Sequence, residues 1–125
     1  MLANANYHAT LPASDFERAK AFYAEKLGLT PSSDVPGGAF YESNGTRFLL
    51  FPSGGVASGT HTQLGFTVDD IAATVNDLKQ RGVQFETYDF PGFDKATGIS
   101  SAGGVQSAWL KDSEGNLLGI VQLPG

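Results

Sequence analysis

Two histidines and a glutamine carry most of the chemistry this chain could perform: His8, His61 and Gln63. His61 and Gln63 stand two apart, so in an extended strand their side chains share one side. An imidazole titrates near neutrality, and His8 or His61 could therefore serve a metal-free acid–base enzyme. The chain has no cysteine, which removes thiolate nucleophiles, thiolate metal ligands and disulfides together. No G-x-S-x-G is present, and nothing ties a serine to a histidine. Gly92, Gly98, Gly103 and Gly104 form no phosphate cradle, because no Gly-Lys-Ser/Thr follows and no helix starts there. Among the aromatic residues, Trp109 and Tyr88 offer large flat faces to a planar ligand. Phe40, Tyr41, Phe48, Phe90 and Phe93 suit a core.

These residues need strands to present them. Tyr7 to Ala13 alternates, with Ala9, Leu11 and Ala13 on one side and His8, Thr10 and Pro12 on the other. A helix follows. Ser14 or Asp15 caps it, Phe16, Ala19, Phe22 or Tyr23 and Leu27 form its apolar stripe, and Gly28 stops it. Strands are expected at Leu29–Ser33, Ala39–Ser43 and Arg47–Pro52, the last two joined through Ser43-Asn44-Gly45-Thr46. The order then repeats. His61–Val68 alternates, Asp69 or Asp70 caps a second helix ending at Gly82, and Phe85–Tyr88 reads as a strand. Pro91–Gly104 reads as a long irregular loop in which Asp94 and Lys95 could close over a ligand. Gln106–Lys111 and Leu117–Leu123 complete a hairpin. Asp15 to Gly28 and Asp69 to Gly82 are each thirteen steps, a faint internal repeat.

The expected fold is therefore α+β: one domain over 1–125, with βαβββ modules at 5–52 and 61–123 and a connector at 53–60. Curved mixed sheets, each backed by a helix, would enclose a concave ligand cup. The apolar sides of the leading strands lie under the helices, leaving His8, Thr10, His61, Gln63 and Thr67 around the cup. Phe48 and Leu50 come from a strand apolar on both sides and are expected to line it too.

With 125 residues, 41% hydrophobic and 17% charged, the composition is that of one soluble domain. A net charge of −5 argues against nucleic acid as a partner. There is no run of eighteen apolar residues and MLANAN lacks a basic region leading into an apolar one, so no membrane span or secretory signal is expected and a cytoplasmic location is.

The pattern H-x-x-L-x-x-x-D-x-x-R-A-x-x-F-Y-x-x-x-L-G-L at His8–Leu29 resembles the vicinal oxygen chelate superfamily, which includes glyoxalase I, bleomycin-resistance proteins and extradiol dioxygenases. W-x-K-D-S-E-G-N-L-L at Trp109–Leu118 is similar to that superfamily's final hairpin. The resemblance implies a cup whose metal-dependent versions take one His, Glu or Gln from each of four strands. Carried over, those positions fall on His8, near Leu50, on Gln63 (or His61 if the register slips by two) and on Gly119. Leu50 and Gly119 bring no donor atom, and His8 with Gln63 would hold a divalent ion weakly. The expectation is a metal-free cup binding a small, mostly apolar or aromatic molecule, as in the resistance branch, lined by His8, Thr10, Phe48, Leu50, His61, Gln63, Tyr88, Trp109 and Gly119. The alternative is a glyoxalase-type lyase, isomerase or dioxygenase using Zn, Ni, Fe or Mn. The resemblance also implies a homodimer, which would cover exposed sheet edges.

Overall fold

The computed structural model describes residues 2–125. Strand β1, Ala9–Ala13, leads into α1, Phe16–Phe22, which runs on as a wider π-helical turn over Tyr23–Leu27. The Asp15 carboxylate accepts from the Arg18 backbone N–H at 3.0 Å, satisfying one of the free donors at the helix start. Gly28 ends the helix at φ 71°, a left-handed conformation that costs a glycine little. Then come β2 (Ser33–Val35), β3 (Gly38–Ser43) and β4 (Thr46–Pro52). The first sheet has the order β1-β4-β3-β2, with β1 parallel to β4 and the rest antiparallel.

The second half repeats the plan. It consists of β5 (Thr62–Thr67), α2 (Ile71–Gln80), β6 (Phe93–Asp94), β7 (Ile99–Ala102), β8 (Val105–Lys111) and β9 (Leu117–Gln122). Asp70 caps α2 as Asp15 caps α1, its side chain accepting from Ala73 N–H at 3.1 Å. This sheet has the order β5-β9-β8-β7-β6, and the two leading strands β1 and β5 touch across the junction. The architecture is α+β, two mixed sheets of four and five strands that do not close on each other.

One core joins the halves on the helix side. Leu11, Leu50, Ala39 and Tyr23 are fully buried beneath α1, and Ile71, Val75 and Leu78 of α2 cover Leu118, Ile120, Ala108 and Leu110. Phe48 meets Phe66 edge to face at 6.4 Å, linking the sheets. Register decides what faces where. Leu11 pairs with Leu50 and Ala39 with Leu50, so all three share the helix side. Leu50 is thus a core residue rather than a wall of the cup. Phe48, at 6% exposure, also lies on the helix side. Leu49 and Phe51 take the open side in their place.

Three elements differ from the sequence reading. The first short strand begins at Ser33 instead of Leu29, because only Ser33, Asp34 and Val35 reach β3 in register. Phe85–Tyr88 is no strand; a single bridge, Phe85 to Leu110, ties it to β8. The Pro91–Gly104 loop contains two short strands, β6 and β7, for Phe93 and Asp94 pair with β7 and Ser100, Ser101 and Ala102 find ladder partners on β8.

Candidate functional site

The face of each sheet turned away from its helix is open, and on it the candidate residues sort into two groups. On the first sheet, the exposed Thr10 belongs to this face. The exposed His8 sits just before β1, its ring meeting Phe40 edge-on at 5.2 Å. Arg47 lies over the other ring of that contact, with its guanidinium 4.1 Å from the Phe40 centroid. Such stacking holds a long side chain flat against the sheet.

On the second sheet Trp109, Thr62 and Gly119 form a closed unit. Trp109 pairs with Gly119 across the β8–β9 ladder. Its indole N–H donates to Thr62 Oγ1 at 3.1 Å, spanning the strand between them. A Cβ built on Gly119 would lie 3.2 Å from Thr62 Cγ2 and 3.6 Å from Trp109 Nε1. Glycine therefore fits closely here, and a side chain at this position would press on the Thr62 methyl, which would have to give by a few tenths of an ångström.

Tyr88 meets Trp109 edge to face at 5.4 Å, and Phe93 and Phe90 pack on Tyr88 at 5.8 and 6.0 Å. Phe90 is 41% exposed. Burial first, then the charge of Glu86, raises the Tyr88 phenol above its ordinary range, so it remains a neutral donor. The result is an aromatic shelf bordered by hydroxyls.

His61 and Gln63 do not act as a pair. The register slips between Thr62 and Leu64, a β-bulge that breaks strict alternation. His61 lies outside the strand, exposed, with Nδ1 2.8 Å from Ser58 Oγ. Gln63 Oε1 is buried without a hydrogen-bond partner among the described residues. Thr62, which the sequence did not mark, takes the place beside Trp109; no glycine or proline announces the bulge.

The donor set does not fit a divalent ion. His8 is exposed and stacked on carbon, Leu50 points into the core, and Gly119 is sealed beneath Trp109 and Thr62. Among the described residues no three of His, Asp and Glu gather closely enough to hold a metal. Protein sites for such ions supply at least three ligands.

Curved mixed sheets backed by one helix each, with an open face between them, define the glyoxalase class of fold. The sequence model of the Glyoxalase/Bleomycin resistance protein/Dioxygenase superfamily matches residues 7–120. The chain belongs to this superfamily. It is 32% identical to the uncharacterized protein YurT of Bacillus subtilis, over 86% of this chain and 91% of that protein. The crystal structure of UcmS2 is similar at a TM-score of 0.73 and 22% identity, covering 94% of this chain and 98% of the other. The lactoylglutathione lyase of Agrobacterium tumefaciens superposes at a TM-score of 0.62 with 24% identity, covering 95% and 93%. At these identities the two structures speak for the fold alone. Among the described residues no helix is long and apolar enough to cross a membrane.

Proposed function

We propose that this chain binds a small, mostly apolar or aromatic molecule on the open face, without a metal, in the manner of sequestration. The observation that carries this reading is the Trp109–Thr62 hydrogen bond lying across Gly119. Where a fourth ligand would stand, the chain has built an aromatic floor. A planar molecule lying on Trp109 gains ring contact and apolar burial, while the Thr62 hydroxyl beside it supplies a polar group that fixes orientation. The acid–base and metal-dependent alternatives lack a comparable observation. The lyase from Agrobacterium tumefaciens shares the fold at 24% identity, below the level at which chemistry transfers. Pairing of two chains, which would cover exposed sheet edges, belongs to the same proposal.

Trp109 is the only tryptophan, so its emission reports on this face directly. Titration with a panel of aromatic natural products is expected to quench or shift that emission saturably for at least one member, with a rise in melting temperature. A panel that moves neither quantity would remove the basis of the proposal. So would stoichiometric Ni, Zn, Fe or Mn in protein purified without added metal. Light scattering should give twice the 13.1 kDa of one chain; a mass of one chain rejects the dimer.

A further inference from the structure

A hollow of about 710 Å³ lies between the residues leading into β1 and the β3–β4 hairpin. Its lining includes Tyr7, His8, Glu42, Thr46, Arg47 and Leu64, all exposed except Leu64. Neither Trp109 nor Gly119 borders it. The volume falls within the range of small-molecule sites.

Arg47 sets this hollow apart. Of the eight Lys and Arg residues, it alone has neither a carboxylate nor a backbone carbonyl as partner among the described residues. In a chain of net charge −5 that is an exception. An acid is even close in the ladder, for Glu42 is the cross-strand partner of Arg47. The guanidinium nevertheless lies on Phe40, 4.1 Å from the ring centroid. That contact uses the face of the fork, whereas its N–H groups lie in its plane and stay unpaired among the described residues. His8 meets the same ring edge-on at 5.2 Å. Two groups able to donate N–H bonds are thus anchored on one ring and border one hollow.

We propose that this hollow binds the carboxylate of a small monoanion with an apolar body. A planar fork held by stacking matches the two oxygens of a carboxylate and loses little freedom on binding. The ligand carries a single charge because Glu42 also borders the hollow, and a dianion facing one guanidinium would meet that carboxylate with twice the repulsion. Its body is apolar because Leu64 and the Tyr7 ring, 85% exposed, stand beside these groups in the lining. None of this depends on how the Trp109 face is used.

The test is a set of probes sharing one ring, benzoate, benzamide and phenyl phosphate, titrated into 15N-labelled protein at constant ionic strength and followed by NMR. Benzoate should saturably shift the amides of Thr46 and Arg47 and the Arg47 Nε–H, with the Trp109 indole N–H unmoved. It should bind about tenfold tighter than neutral benzamide, the worth of a charge-assisted hydrogen bond. In Arg47→Gln that preference should vanish, and Arg47→Lys, which keeps the charge without the fork, should restore only part of it. Glu42→Gln should strengthen benzoate binding severalfold, a gain that a damaged fold could not give. Equal affinities for benzoate and benzamide overturn the carboxylate, and phenyl phosphate binding tighter than benzoate overturns the monoanion. Shifts confined to Trp109 and Thr62 overturn this site while leaving the open-face reading intact, and no shift anywhere also overturns it.

Discussion

At the end of β1, the turn Asp112–Asn116 reaches across from the second sheet and is tied down. At the end of β5, the corresponding turn Ser43–Thr46 reaches across from the first sheet and is not. The first contact is a polar clasp. Asp112 accepts from the Tyr23 hydroxyl at 2.8 Å, from Asn116 Nδ2 at 2.8 Å, and from the backbone N–H groups of Glu114 and Asn116 at 2.9 Å each. Asn116 Nδ2 also donates to Pro12 O at 3.0 Å, carrying the clasp onto β1. Glu114 receives both Arg18 Nε at 2.8 Å and the Asp15 N–H at 2.9 Å. Among the described residues the other turn has nothing comparable. Thr46 bonds back to Ser43 O within the turn, and a hollow remains between it and β5. The difference comes from turn length and one carboxylate. A longer turn starting with Asp can send a charged acceptor into the junction and satisfy it there, while Asn44-Gly45 has only itself to satisfy.

Breaking the clasp should therefore cost far more than anything done at the open end. Asp112→Ala leaves the Tyr23 hydroxyl and the Asn116 amide without their acceptor in a buried place. Chemical denaturation should show a loss of about 3–4 kcal/mol, at the upper end for one substitution. A loss below about 1 kcal/mol would mean the clasp is ornamental. Tyr23→Phe removes one bond to a charged acceptor and keeps the ring, and should cost about 2 kcal/mol.

Acid tests the same end through Glu114. The hydrogen bond from Arg18 dominates, aided by Asp15 N–H, Ser113 and Ser14 and opposed by burial, and the carboxyl falls from 4.5 to about 2. A folded pKa below the unfolded one means the unfolded chain binds the proton first as pH falls. The stabilisation is complete above about 4.5 and is lost as pH falls toward about 2. Melting temperature should drop through that window, and Glu114→Gln should drop less. Equal slopes for the two proteins would detach Glu114 from the clasp.

The duplicated plan was legible in the residues, whereas the asymmetry between its two junctions was hidden for identifiable reasons. Asp15, Gly28, Asp70 and Gly82 mark helix ends by local rules, so the duplicated order could be read. Phe48-Leu49-Leu50-Phe51 is apolar on both sides, and alternation then cannot say which pair faces the helix. Only pairing with Leu11 and Ala39 fixes it, which is why Leu50 was expected on the wrong face. The bulge beside Gln63 and the strands within Pro91–Gly104 depend on partners far along the chain. The clasp is equally non-local, joining Tyr23 to Asp112.

At the open end the effects should be small. Asn44 has φ 51°, a left-handed conformation that a side chain with a Cβ tolerates poorly. Asn44→Ala should cost about 1 kcal/mol and Asn44→Gly almost nothing, since no buried network depends on this turn.

The sharpest contrast comes from making one substitution at both ends. Tyr23 and Tyr41 are both buried tyrosines, their ring centroids 5.6 Å apart. The Tyr23 hydroxyl has Asp112, whereas the Tyr41 hydroxyl has no partner among the described residues. Removing an unpaired buried hydroxyl spares its desolvation cost and leaves no acceptor stranded. Tyr41→Phe in the unliganded protein should therefore be neutral or stabilising, by up to about 1 kcal/mol, where Tyr23→Phe destabilises. Denaturation of the two variants side by side gives the sign directly. A loss at Tyr41 matching that at Tyr23 would mean that the hydroxyl is bonded after all, and the two junctions would then differ in shape but not in how they hold the chain together.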